Sequence, residues 1–141
     1  MKPLPFNDDS VDVAFHEHVL EHLTAYDGYL FLKECYRVLK PGGVLRVVCP
    51  DASRYMASYF DPDHQFLHDW REFEFTPMME MQYEFYSFGH KAVYDYETIA
   101  FFCKTIGFSD VKHCQFGESL IDPAPDAPNR IGDSVYVEAV K

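Results

Sequence analysis

The most constraining feature of this sequence is one amphipathic stripe held between two runs of strand-like sequence, over residues 11–49. Val11, Val13 and Phe15 alternate with Asp12 and Ala14, so residues 11–16 are predicted to form a strand. A short polar helix or turn is expected over 17–23. Thr24 then opens a capping-box-like Thr-Ala-Tyr-Asp, and the helix behind it sets Leu32, Cys35, Tyr36 and Leu39 on one apolar face. Lys40-Pro41-Gly42-Gly43 is expected to stop that helix with a terminal cation, a proline and a glycine suited to positive φ. Val44 to Cys49 is apolar except for Arg46, as in a strand buried on both faces. Strand, helix and strand in this order fit a parallel, right-handed crossover.

The rest of the chain continues the alternation. Asp51 is placed to cap a second helix with Ala52, Tyr55, Met56 and Tyr59 on its apolar side. Over 61–94 the periodicity blurs, aromatics accumulate and acids outnumber bases. This stretch is either a cap whose residues (Trp70, Phe73, Phe75, Met78 and Tyr83 among them) line an acceptor pocket or a dimer contact, or two short helices whose aromatics fill the core. Asp95 is expected to cap a third helix with Ile99, Phe102, Cys103 and Ile106 on one face and Gly107 as its stop. Residues 110–116 and 134–140 are predicted strands. The Pro-rich 123–128 between them is predicted to be loop. Helix–strand alternation defines an α/β class. One domain is expected, with a core over 1–60, a cap over 61–94 and a closing unit over 95–141.

Charge narrows the function classes. The chain has 12 Lys+Arg against 23 Asp+Glu, a formal net charge of -11. Such a surface repels phosphate backbones and anionic lipid, so neither nucleic acid nor membrane is an expected partner. No apolar run approaches the roughly 20 residues of a bilayer span, and the polar, proline-broken start does not read as a secretion signal. Cys35, Cys49, Cys103 and Cys114 form no Cys-x-x-Cys pair. They are expected to be reduced, buried thiols of a cytoplasmic protein.

Two blocks carry a family resemblance. Leu4-Pro5-Phe6 with Ser10-Val11-Asp12-Val13-Ala14-Phe15-His16-Glu17-His18-Val19-Leu20-Glu21-His22-Leu23 is the first. Glu34-Cys35-Tyr36-Arg37-Val38-Leu39-Lys40-Pro41-Gly42-Gly43-Val44-Leu45 is the second. Together they closely resemble class I S-adenosylmethionine-dependent methyltransferases of the methyltransferase type 11 group. Cys49-Pro50-Asp51, Phe88-Gly89-His90 and Gly107-Phe108 fit the same group more loosely. The resemblance implies a Rossmann-like fold represented by its strands four to seven, flanking helices and a cap. The family's Gly-rich turn, where backbone must approach the cofactor closely, has no counterpart here, since no Gly-x-Gly occurs. The expectation is therefore a C-terminal half that holds S-adenosylmethionine weakly by itself, with Met1 lying where the family's fourth strand is about to begin.

The resemblance places Phe15, His16, Glu17 and His18 at the cofactor edge. Asp51, Tyr55, His90 and Tyr94 fall on the side of a small-molecule acceptor, with His16, His90 and Asp51 as catalytic candidates. An unperturbed imidazole titrates near neutrality and suits a general base. Simpler readings stand beside these: a solvated His-Glu pair at 16–17, a helix cap at Asp51, and loop packing at His90 and Tyr94. His18-Val19-Leu20-Glu21-His22 also matches the short H-x-x-E-H zinc-peptidase pattern. The longer blocks account for the same residues without a metal, so no metal is expected. His64 and His68 read as an acid-flanked, exposed helical face. A different class of function is a cofactor-less remnant serving as a binding or assembly module. An unpaired strand 11–16 would join a second copy or a partner chain through its edge.

Overall fold

A computed structural model describes residues 2–61 and 76–141. His64, His68, Trp70, Phe73 and Phe75 lie outside the described residues. Strand β1 (Val11–Glu17) leads through a 3₁₀ turn (Leu20–His22) into α1 (Ala25–Val38), β2 (Leu39–Pro50) and α2 (Ala52–Phe60). Then come α3 (Pro77–Tyr86), a second 3₁₀ turn (Ser87–Gly89), α4 (Tyr96–Ile106), β3 (Ser109–Cys114) and β4 (Ser134–Val140). The sheet runs β1-β2-β4-β3. β1 and β2 are parallel, as the crossover reading requires, whereas β4 is antiparallel to both β2 and β3.

The caps act as the sequence indicates. Thr24, Asp51 and Asp95 each accept a backbone N–H from the first turn of the helix they precede. Two details differ from the sequence reading. Helix α1 ends at Val38, and Lys40-Pro41-Gly42-Gly43 belongs to β2 as an irregularity. Val11 pairs with Leu39 and Val13 with Val44, so β2 fits five steps where β1 makes two. Gly42 takes φ 79° there, and a Cβ on Gly43 would lie 3.1 Å from the Asp12 carbonyl oxygen and 2.9 Å from that of Lys40. The bulge crowds two backbones together, which is what a glycine permits. In α2 the buried side is Ala52, Tyr55 and Ser58, while Met56 and Tyr59 are exposed. α2 packs on α3, not flat on the sheet, so its buried stripe is rotated from the one the apolar spacing suggests.

One face of the sheet carries the main core. Leu45, Val47 and Cys49 of β2 pack with Leu32 and Cys35 of α1, Ile99 and Cys103 of α4, and Val135 and Val137 of β4. The other face holds Arg46, fully buried, and is covered by the loop between β3 and β4. Arg46 donates Nε to Asp126 Oδ1 at 2.9 Å and Nη2 to Asp126 Oδ2 at 2.6 Å. Its Nη1 donates to the Glu118 carbonyl at 2.9 Å, and its guanidinium lies 5.3 Å from the Tyr136 ring centroid. Glu138 holds the same loop through the Ser119 hydroxyl and the Leu120 N–H.

Removing one member of a buried bidentate pair leaves the other charge without compensation, at a cost of about 3–5 kcal/mol. Asp126→Ala is expected to lower unfolding free energy by that amount in urea titration. Asp126→Ala combined with Arg46→Met should recover only part of the loss, because buried Glu138, whose Oε1 lies 3.5 Å from Arg46 Nη1, loses its cation in the double variant.

Candidate functional site

In open α/β sheets, sites form at the carboxyl ends of the strands. Here β1 ends at Glu17, and His18 turns the chain with φ 50°, an uncommon left-handed conformation for a non-glycine residue. Its N–H donates to the Val48 carbonyl at 2.8 Å, which fixes the turn against β2. Its ring is held from both sides: Nδ1 lies 3.1 Å from Glu21 Oε1, and Nε2 lies 3.0 Å from Ser134 Oγ. Ser134 in turn donates to Asp133 at 2.7 Å.

The second wall comes from the segment after α3. Phe88 is also left-handed, at φ 61°. His90 Nδ1 lies 2.6 Å from the Glu84 carbonyl oxygen, which can only accept, so Nδ1 carries the proton and Nε2 keeps its lone pair. The N–H groups of Lys91 and Ala92 donate to the Glu21 carbonyl at 2.7 and 3.2 Å, tying this segment to the first 3₁₀ turn. The rings of His22 and His90 consequently meet edge to face, 5.0 Å apart between centroids. Together with Arg130 and Asp133 these groups line a cavity of about 470 Å³.

A separate groove of about 270 Å³ runs along β1, lined by Leu4, Phe6, Val13, Phe15, His16 and Phe31 among others. His16 is buried with neither ring nitrogen in a hydrogen bond, and its ring packs edge to face on Phe31 at 5.1 Å. Burial lowers its pKa to about 4, against a smaller upward pull from the Glu21 carboxylate.

The structure brings His18 and His90 together in the larger cavity and puts Phe15 and His16 in the groove. Glu17 turns to the loop after β3, accepting from Ala127 N at 3.0 Å with Arg130 Nε 3.9 Å away. Asp51 is occupied as a cap, accepting from the N–H and hydroxyl of Ser53. Tyr55 is buried, with its hydroxyl on Glu84 and its pKa raised by burial and by that carboxylate. Tyr94 is in the core, its hydroxyl beside Gly28. The H-x-x-E-H segment does not form the helix its zinc-peptidase reading needs. Only Leu20–His22 is helical, and His18 precedes it in a left-handed turn. Sequence reasoning gave no place in the site to Arg130, Asp133 and Ser134. They arrive from the far end of the chain, and no local pattern marks them.

Comparison with known proteins bears on the fold in which these groups sit. Residues 1–47 match the model of a methyltransferase domain family. A probable S-adenosylmethionine-dependent methyltransferase of Mycolicibacterium smegmatis is 50% identical over 48 residues, 34% of this chain and 18% of that protein. Malonyl-[acyl-carrier protein] O-methyltransferase 1 of Coxiella burnetii is 42% identical over 67 residues, 46% of this chain and 23% of that protein. The crystal structure of a SAM-dependent methyltransferase from Archaeoglobus fulgidus shares the fold, with a TM-score of 0.57 at 18% identity, covering 96% of this chain and 62% of that one. The match spans 18% and 23% of the two curated relatives and 62% of the Archaeoglobus chain. Its first third is similar in sequence to S-adenosylmethionine-dependent methyltransferase domains, and its mixed α/β sheet matches part of the Rossmann-like fold of such structures.

The environment of His16 has a measurable consequence. A histidine whose pKa falls from 6.5 to about 4 on folding binds its proton more readily when unfolded. Stability is therefore expected to decline as pH falls from about 6.5 towards 4, by up to roughly 3 kcal/mol at 1.36 kcal/mol per unit. Urea titrations at stepped pH should show this slope, and His16→Phe should flatten it.

Proposed function

We propose that this chain contributes to a methyl-transfer site in which one edge of S-adenosylmethionine lies in the groove along β1 and a small-molecule acceptor lies in the cavity of His18, His22 and His90. The observation that carries the reading is His16, buried beside an apolar groove and against the Phe31 ring, with neither ring nitrogen bonded to a described residue. A buried polar group without a partner is costly. A ligand offering hydrogen-bonding groups beside a flat base would satisfy it while stacking on Phe15 or Phe31.

When bound, the cofactor supplies an electrophilic methyl group on its sulfonium. Displacement there is in line, so the protein's work is to position the acceptor and exclude water. His18, braced between Glu21 and Ser134, forms a fixed wall for that purpose. His90 presents Nε2 with a free lone pair, suited to take the proton of a hydroxyl or amine acceptor. His16 is unsuited to that task, because burial holds its pKa near 4, far from neutrality.

A second reading, an assembly module, rests on the outer edge of β1. Within the sheet β1 pairs only with β2, and beside it Phe6, Val13 and Phe15 are 53%, 43% and 40% exposed. An apolar, unpaired edge is a template for strand pairing with a second copy or another chain. A cytoplasmic setting suits the four free, buried cysteines, since burial pushes the thiols of Cys35 and Cys103 up to about 12 and leaves them unreactive. Among the described residues no helix is long and apolar enough to cross a membrane.

Calorimetric titration with S-adenosylhomocysteine is expected to give weak, sub-millimolar affinity. His16→Phe should weaken it about tenfold, roughly 1.4 kcal/mol. No heat at millimolar ligand would sink the cofactor reading and favour the assembly module. Sedimentation at micromolar concentration should show a dimer that Phe15→Lys converts to monomer; a monomeric parent chain counts against edge pairing.

A further inference from the structure

We infer that Glu21, His22 and His90 form a binding site for a divalent transition-metal ion, with Zn²⁺ as the best match. Each of the three offers one donor atom, and these atoms lie within 4.8 Å of one another. Tetrahedral Zn²⁺ with bonds near 2.1 Å separates its ligands by about 3.4 Å. Binding an ion would require the three donors to draw inward from the separation seen here.

Two further observations point to a cation. Glu21 has a side chain only 2% exposed, and neither carboxylate oxygen makes a hydrogen bond. His18 Nδ1 lies 3.1 Å from Oε1, and Oε2 has no hydrogen-bond partner among the described residues. A buried carboxylate so lightly compensated is expensive unless it coordinates something. The side chain of His90 is likewise only 6% exposed, and its Nδ1 proton goes to the Glu84 carbonyl. Metal-binding histidines are oriented in this way, donating from one nitrogen to a carbonyl and binding the metal through the other.

The donor set selects the ion. Two imidazoles and a carboxylate suit Zn²⁺ and its neighbours, whereas Ca²⁺ and Mg²⁺ prefer oxygen ligands throughout. Three protein ligands leave a fourth position, on the side of the 470 Å³ cavity. The site is not the zinc-peptidase arrangement, because His18 is engaged with Ser134 and Glu21 while His90 arrives from the segment after α3. It does not depend on methyl transfer: the ion would bind whatever the acceptor. With an ion bound, His90 Nε2 would be a ligand and not a base, and coordination at the fourth position would lower the pKa of an acceptor hydroxyl so that its proton passes to water.

The test is calorimetric titration of the chelator-treated chain with ZnCl₂ and, separately, MgCl₂. One Zn²⁺ per chain with micromolar or tighter affinity is expected, with Mg²⁺ at least about 100-fold weaker. His90→Gln and Glu21→Gln should each weaken Zn²⁺ more than about tenfold, the size of loss that even supporting groups produce. His113→Ala, an exposed histidine on β3, should leave it unchanged. Affinity unaltered by His90→Gln, or no stoichiometric zinc, overturns the assignment. Should a variant fail to fold by circular dichroism, Co²⁺ on the parent chain decides. Visible absorption that saturates at one equivalent and is displaced by Zn²⁺ supports the site, and a featureless or unsaturable titration rejects it.

Discussion

A guanidinium in the middle of β2 cannot be left alone. Arg46 has no exposed surface, so its charge must be met inside the protein, and Asp126 meets it from 80 residues away with two parallel hydrogen bonds. That pairing lays the long connection between β3 and β4 across the second face of the sheet, where no helix of the described residues packs. Once the connection is in place, Ala127 reaches Glu17, and Ser134 reaches the ring of His18. A buried ion pair is a poor source of net stability but an effective way of specifying one arrangement. In this chain it specifies where a proline-rich loop lies, and through that loop the walls of the larger cavity.

The two cavities divide the chemistry by position along one short segment. His16 belongs to the groove and His18 to the cavity, two residues apart on the same strand end. Parallel pairing with β2 puts His16 opposite Val47 and Glu17 opposite Val48, so alternation alone would return residue 18 to the face of His16, and the left-handed turn at His18 takes it out of the strand instead. Two of the non-glycine residues in the left-handed region, His18 and Phe88, line the same cavity. Such conformations persist where surrounding contacts force them, and they concentrate at functional sites. His18 is forced by its bond to Val48 and by its two side-chain partners.

What could be read from the sequence was local. Alternation gave β1 and β4, the spacing of Leu32, Cys35 and Leu39 gave α1, and Thr24, Asp51 and Asp95 announced three helix starts. The family resemblance was carried by contiguous blocks, so it was legible too. The rest depends on contacts between distant parts of the chain. The buried side of α2 follows α3 and not its own apolar spacing. Lys40 to Gly43 looks like a helix stop, and only the pairing partner reveals it as part of a strand. Asp126 sits in a stretch whose composition says loop, with no sign that it neutralises Arg46. His22 and His90 are far apart in sequence, and the backbone bonds from Lys91 and Ala92 to Glu21 that join them leave no mark on residue type.

The surplus residues at Lys40 to Gly43 have an implication for how this fold tolerates change. A strand slipped by a single residue would send His16 to the wrong side of the sheet, since side chains alternate strictly. The bulge lies between α1 and the regular part of β2. Gains or losses of a residue in the helix can be taken up there as slack. The ladder from Val44 onward keeps its alignment, and drift in chain length stays uncoupled from the chemistry at the strand ends.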